Sequence, residues 1–256
     1  MRSTRALVVL ALLATMLSGH ARAGVVYRQP VWFNWNESEL TILVFPPGHG
    51  QIVNGKGILN GFDPDELSPY ESSYFRAVTN SIEDWERAIE TYAPAWLRNG
   101  LERDIFVVGR DHIPQSALDD PDIAVVSDEH QVISLGVAVH VGRFCVVDNG
   151  KLFTSSFTYE DMFNISSQEY GHCLGLGHVN EAIPANPPDD ENIIHDPMNG
   201  RYPHPPGAAY GTELHCVSNL NVEGLEEVYR QVLRGFPGAR DGLMPRNAYE
   251  RVSGCS

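Results

Sequence analysis

The run Gln168-Glu169-Tyr170-Gly171-His172-Cys173-Leu174-Gly175-Leu176-Gly177-His178 constrains this chain more than any other segment. On a helix, Gln168 and His172 are four positions apart and share one face, with Glu169 one position round from Gln168. Gly175 is free to take the left-handed conformation that ends a helix and turns the chain back. His178 then points at the same spot from the other side. Two neutral imidazoles converging beside a carboxylate are the arrangement that zinc-assisted hydrolysis requires.

The surrounding pattern reads as an α+β domain. Glu39 to Phe45 predicts a strand ended by Pro46-Pro47-Gly48, and a loop rich in Gly, Asn, Asp and Pro is expected to run on to Ser68. A long helix follows. Ser68 caps it, Pro69 suits its first position, and Glu71 completes a capping box. Phe75, Val78, Ile82, Trp85, Ile89 and Tyr92 form its apolar stripe, and Pro94 with Asn99-Gly100 brings it to an end. Four β-rich runs come next: Asp104 to Val108, Asp122 to Val126, Val132 to Val141 and Phe144 to Val147. A second helix starts near Tyr159, with Thr158 and Asp161 as cap partners, and carries the histidine run. Ala182 to Pro206 is irregular. A last helix runs from about Asn219, capped by Ser218, to Gly235.

The histidine run resembles the zinc signature of the metzincin metallopeptidases, HExxHxxGxxH, in matrixin-like surroundings. It matches at Glu169, His172, Gly175 and His178 and departs at the first position, where the family has histidine and this chain has Gln168. The segment His195-Asp196-Pro197-Met198-Asn199 resembles the family's Met-turn. The resemblance implies a twisted mixed β-sheet with two helices in an N-terminal lobe. A smaller C-terminal lobe would hold the Met-turn and the last helix. It further implies one catalytic zinc on His172, His178 and Gln168, with Glu169 as general base and Met198 as a floor that binds no metal. Val132 to Val141 would be the edge strand that pairs with an extended peptide or protein substrate.

Gln168 leaves three arrangements open. An amide oxygen is a weaker zinc donor than imidazole, and Gln168 has the length to act as a weak third ligand. Alternatively, His172 and His178 take a further ligand from near the Met-turn, where His195, Tyr202 and His204 lie. In the third arrangement the amide is only hydrogen-bonded and no metal is held. The expected function is a zinc-dependent endopeptidase. The alternative is a catalytically inactive metzincin-fold binding protein that has lost zinc because of Gln168.

The remaining features concern destination and partners. Arg2 and Arg5 precede the apolar run Ala6 to Leu17, and Ala21-Arg22-Ala23 is a small-x-small cleavage site, so residues 1–23 read as a secretory signal peptide. Residues 24–256 would be the mature domain, secreted, monomeric and free of the membrane after cleavage. The chain is 43% apolar with a net charge of −15, a balance suited to a globular fold and repelled by nucleic acid. Export permits disulfides among Cys145, Cys173, Cys216 and Cys255. Four cysteines allow three connectivities; the expected one joins Cys173 to Cys216, leaving Cys145 for Cys255. Asp189-Asp190-Glu191-Asn192 carries oxygen donors suited to calcium, although a solvated loop is the expected reading. Asn36-Glu37-Ser38 and Asn164-Ile165-Ser166 match the glycosylation sequon.

Overall fold

The computed structural model describes residues 26–28, 31, 35, 39–59, 61, 63–127, 137–141, 144–148, 157–179, 196–199, 213–229, 243–245 and 255. In chain order the elements are β1 (Val26–Arg28), β2 (Glu39–Val44), β3 (Gly50–Val53), β4 (Lys56–Leu59), α1 (Pro69–Tyr92), α2 (Ala95–Gly100), β5 (Glu102–Val107), α3 (Gln115–Asp119), β6 (Ile123–Val126), β7 (Val137–Val141), β8 (Phe144–Asp148), α4 (Tyr159–Cys173), α5 (Asn219–Tyr229) and β9 (Leu243–Pro245). The fold is α+β, as the pattern predicts.

Its centre is a five-stranded sheet in the order β5-β2-β6-β8-β7. β5, β2, β6 and β8 run parallel, and β7 closes one edge antiparallel to β8. Side chains of β2 alternate between faces, as a strand demands. Leu40, Ile42 and Val44 enter the main core with Val78, Ile82, Trp85 and Phe163, beneath α1 and α4. Leu43 and Phe45 enter a second core with Ala124, Val126 and Ala117 on the opposite face. Burial on both faces explains why β2 reads as a nearly unbroken apolar run.

α1 begins as the sequence predicts. Ser68 Oγ accepts from the Glu71 N–H at 3.3 Å, and Glu71 returns a carboxylate to the Ser68 N–H at 2.8 Å. Of its predicted stripe, Val78, Ile82, Trp85 and Ile89 are buried, while Phe75 and Tyr92 are partly buried against the core.

Two expectations are corrected. The loop expected between Pro46 and Ser68 contains the hairpin β3–β4, turned by Asn54 (φ 56°) and Gly55 (φ 78°). An Asn-Gly pair between strands favours this tight turn because both residues tolerate positive φ. The helix expected to end at Pro94 is followed at once by α2, which contains Asn99 and Gly100. The segment between the first two β-rich runs contains the short helix α3, which ends at Asp119. β1 and β9, which pair antiparallel, fall on segments with no strand expectation. Residues 132–136, 180–195, 200–212 and 230–235 lie outside the described set, so the edge strand, the irregular segment and the last helix are seen only in part.

Candidate metal centre

α4 carries the site and is buried on nearly every side. Thr158 and Asp161 form the expected capping box: Thr158 Oγ1 accepts from the Asp161 N–H at 3.2 Å, and Asp161 Oδ2 accepts from the Thr158 N–H at 3.0 Å. Close packing against α1 relies on small residues. The Trp85 indole donates to both the carbonyl and the hydroxyl of Ser167 at 3.0 Å. At Gly171, an added Cβ would lie 2.7 Å from Trp85 Cζ2 and collide with Met198 Sδ.

The helix ends in a Schellman turn. Leu176 N–H donates to Gly171 O at 3.1 Å, Gly175 N–H donates to His172 O at 3.0 Å, and Gly175 sits at φ 108°. This pair of bonds and a positive φ define that turn and reverse the chain. Gly175 therefore has the role its position predicts, and His178 returns toward the helix.

The three side chains singled out in the sequence meet. His172 Nε2 lies 3.0 Å from His178 Nε2, the amide end of Gln168 lies 2.9 Å from His178 Nε2, and the imidazole centroids are 4.7 Å apart. His172 Nδ1 is 2.8 Å from the Leu176 carbonyl, which can only accept. Nδ1 therefore carries a proton, and whenever the ring is neutral its Nε2 lone pair is turned to His178. The amide of Gln168 turns end for end at little cost, so its oxygen can occupy the same position.

This donor set suits a divalent cation. Two lone pairs facing each other at 3.0 Å repel unless a proton or a metal lies between them. Tetrahedral zinc with bonds of about 2.0–2.1 Å separates two nitrogens by roughly 3.3 Å, a few tenths of an ångström beyond what is seen. Among the described residues, no three His, Cys, Asp or Glu side chains group together. The set is two imidazoles and an amide. His195, Tyr202 and His204 lie outside the described residues, as does the acidic cluster Asp189 to Asn192.

Glu169 follows Gln168 on α4, half-buried and next to β7. Burial pushes its carboxyl up to about 7, against a smaller opposing effect from the Ala138 N–H that bonds it. A carboxyl poised there exchanges protons readily near neutrality.

Met198 packs under the helix at Gly171, fully buried. Its turn is held by buried Asp196, whose Oδ1 accepts from the Met198 N–H at 2.9 Å and from Asn221 Nδ2 at 3.1 Å. Asp196 Oδ2 accepts from the Ser218 hydroxyl at 2.9 Å. The Met198 carbonyl accepts from the Val179 N–H at 2.9 Å, so the turn is also fastened to the residue after His178. Asp196, Trp85 and the Leu176 carbonyl are supporting groups that motif reading passes over. The one available signal was an aspartate two residues before Met198, the spacing at which Asp caps its own turn.

The disulfide expectation is corrected. Cys145 joins Cys173, with Cα atoms 5.6 Å apart, and Cys216 joins Cys255 at 5.7 Å. Cys145 lies on β8, against which α4 packs, so Cys173 reaches the sheet rather than the segment before α5. The sequon at Asn164 is also set aside: its side chain is buried, donating to Glu213 O at 3.0 Å and accepting from the His215 N–H at 2.7 Å.

No protein-family model, curated protein or solved structure matches the chain.

Proposed function

We propose that the chain is a secreted zinc-dependent endopeptidase of metzincin type. The observation that carries this reading is that the amide end of Gln168 and His172 Nε2 lie 2.9 Å and 3.0 Å from His178 Nε2, with Glu169 next to Gln168 in the chain. His172, His178 and Gln168 would hold the ion, which when bound supplies an acidified water and polarises a peptide carbonyl. Glu169 would take the proton of the attacking water on its carboxylate and hand it to the leaving amine. The Leu176 carbonyl would keep His172 in the tautomer that serves as a ligand. β7, paired on one side only with β8 among the described residues, would offer its other edge to an extended peptide or protein substrate. Two disulfides, and the lack of any helix long and apolar enough to cross a membrane among the described residues, support the secreted destination.

One contact favours a second reading. The amide end of Gln168 lies 2.9 Å from His178 Nε2, a hydrogen-bond distance that needs no metal. In that reading the chain is an inactive binding protein on the same fold. Elemental analysis of the purified mature chain, prepared without chelator, separates the two. About one zinc per chain, with peptide hydrolysis lost in Glu169→Gln, supports the enzyme. Zinc in Gln168→His but not in the parent assigns the inactive reading.

A further inference from the structure

We propose that the N-terminal segment, through Trp35 and Val31, is a positioning element for the His172/His178 pair, so that metal affinity depends on its docking. The proposal rests on the metal-site reading above. It starts from the carbonyls at the end of α4. A helix leaves its last carbonyls without intrahelical donors, and in a buried helix each needs another partner. Tyr170 O receives the Leu174 N–H, Gly171 O the Leu176 N–H and His172 O the Gly175 N–H. Cys173 O receives the indole Nε1–H of Trp35 at 3.0 Å, from 138 positions away in sequence.

Trp35 is itself buried, at 5% exposure, and packs in the main core with Leu174 and Leu176. Four residues earlier, Val31 forms an antiparallel bridge with Leu176. The same residue, Leu176, holds His172 Nδ1 with its carbonyl. Val31 and Trp35 therefore hold both sides of the turn that separates the two histidines. Further back, β1 is paired with β9.

The consequence for the site is directional. Removing the indole donor leaves Cys173 O buried and unpaired, and the turn can recover a partner only by opening toward water. Opening moves Leu176, and with it the bond that orients His172. Trp35 thus acts through the turn and touches no reacting atom. Groups that orient metal ligands in this way typically change affinity by about 10–100-fold when removed, and an indirect contact belongs at the lower end.

The test compares zinc affinity and the cobalt(II) visible spectrum of the full mature chain with those of Trp35→Phe. Where the parent binds too weakly to measure, both are compared in a Gln168→His background. The expected result is about tenfold weaker zinc and an altered cobalt band, with unchanged far-ultraviolet dichroism. A merely structural role would leave the cobalt band alone. Should Trp35→Phe fail to fold, a chain carrying 3-benzothienylalanine at position 35 keeps the bicyclic volume and removes only the N–H; the same spectral change is expected. Parent-like affinity and spectrum in a folded variant overturn the proposal and leave the metal site standing. Failure of both the parent and Gln168→His to take up metal removes the metal-site reading and the proposal together.

Discussion

His172 Nδ1 donates to the carbonyl of Leu176 at 2.8 Å, across the turn that also carries His178. The bond places a proton on Nδ1 from within the loop, so Nε2 is oriented by the same backbone that brings the second histidine back. The geometry of the pair is therefore a property of the turn, and whatever sits at position 168 meets a preformed pair of nitrogens.

From this follows the expected effect of Gln168→His. A third imidazole replaces an amide at a position already 2.9 Å from His178 Nε2. Zinc affinity should rise by about tenfold or more, equivalent to about 1.4 kcal/mol, as measured by competition with a chelator. Unchanged affinity would mean that position 168 contributes nothing to the cation site.

Glu169→Gln tests the proton-transfer role separately from metal binding. Zinc content should be retained, while peptide hydrolysis falls by about 10²–10⁴-fold. The carboxyl is raised by burial to about 7, so the ionised base is lost as pH falls through that region. A bound dication favours the carboxylate and draws the acid limb of kcat/KM below that value. An active Glu169→Gln chain with an unaltered acid limb would sink this role.

How much of this was legible in the sequence follows from the range of the interactions involved. The caps Ser68 and Thr158, the strand β2 and the convergence of Gln168, His172 and His178 depend on residues a few positions apart, and local chemistry decides them. Asn54-Gly55 was an equally local hairpin signal, masked by the loop-like composition around it. The disulfide partners, the Trp35 bond to Cys173 O and the Asp196 anchor are of another kind. They depend on which strand lies under α4 and where the N-terminal segment crosses it, and no pattern within a single element contains that information.

Gly171→Ala should destabilise the fold by about 1–3 kcal/mol, because the new methyl has no space between Met198 and Trp85. Shortening Met198 removes one of the two obstacles. In Gly171→Ala with Met198→Ala, the combined loss should therefore be smaller than the sum of the single losses. Thermal unfolding of the four chains measures the coupling; strict additivity would mean that the helix shifts instead of pressing on the methionine.

Opening the Cys145–Cys173 bridge by replacing both residues with alanine should cost about 2–4 kcal/mol of stability. Cys173 adjoins His172, so zinc affinity should fall as well, whereas Cys216 and Cys255 replaced together should leave the ligands in place. Denaturation and chelator competition on the two double variants distinguish these outcomes. Equal loss of affinity in both would point to global loosening rather than to the junction with His172.

Asp84 supplies a pH dependence that does not involve the site. It is fully buried on α1; Oδ2 accepts from the Val217 N–H at 2.8 Å, while Oδ1 lies 3.6 Å from Arg87 and accepts no hydrogen bond. Burial outweighs both favourable neighbours and raises the carboxyl from 3.8 to about 6. The folded chain therefore holds a proton that the unfolded chain releases between about pH 4 and pH 6, and across that window this group makes stability fall as pH rises. Below the window both forms are protonated; above it both are ionised and the whole penalty is present. Asparagine keeps an acceptor for Val217 and has no charge to bury. Relative to the parent, Asp84→Asn should gain about 1–3 kcal/mol between pH 4 and pH 7.5, read as the difference in denaturant unfolding at the two pH values. If the variant instead loses stability against the parent as pH rises, attraction to Arg87 outweighs burial, and Asp84 is a net stabilising charge where α1 meets the start of α5.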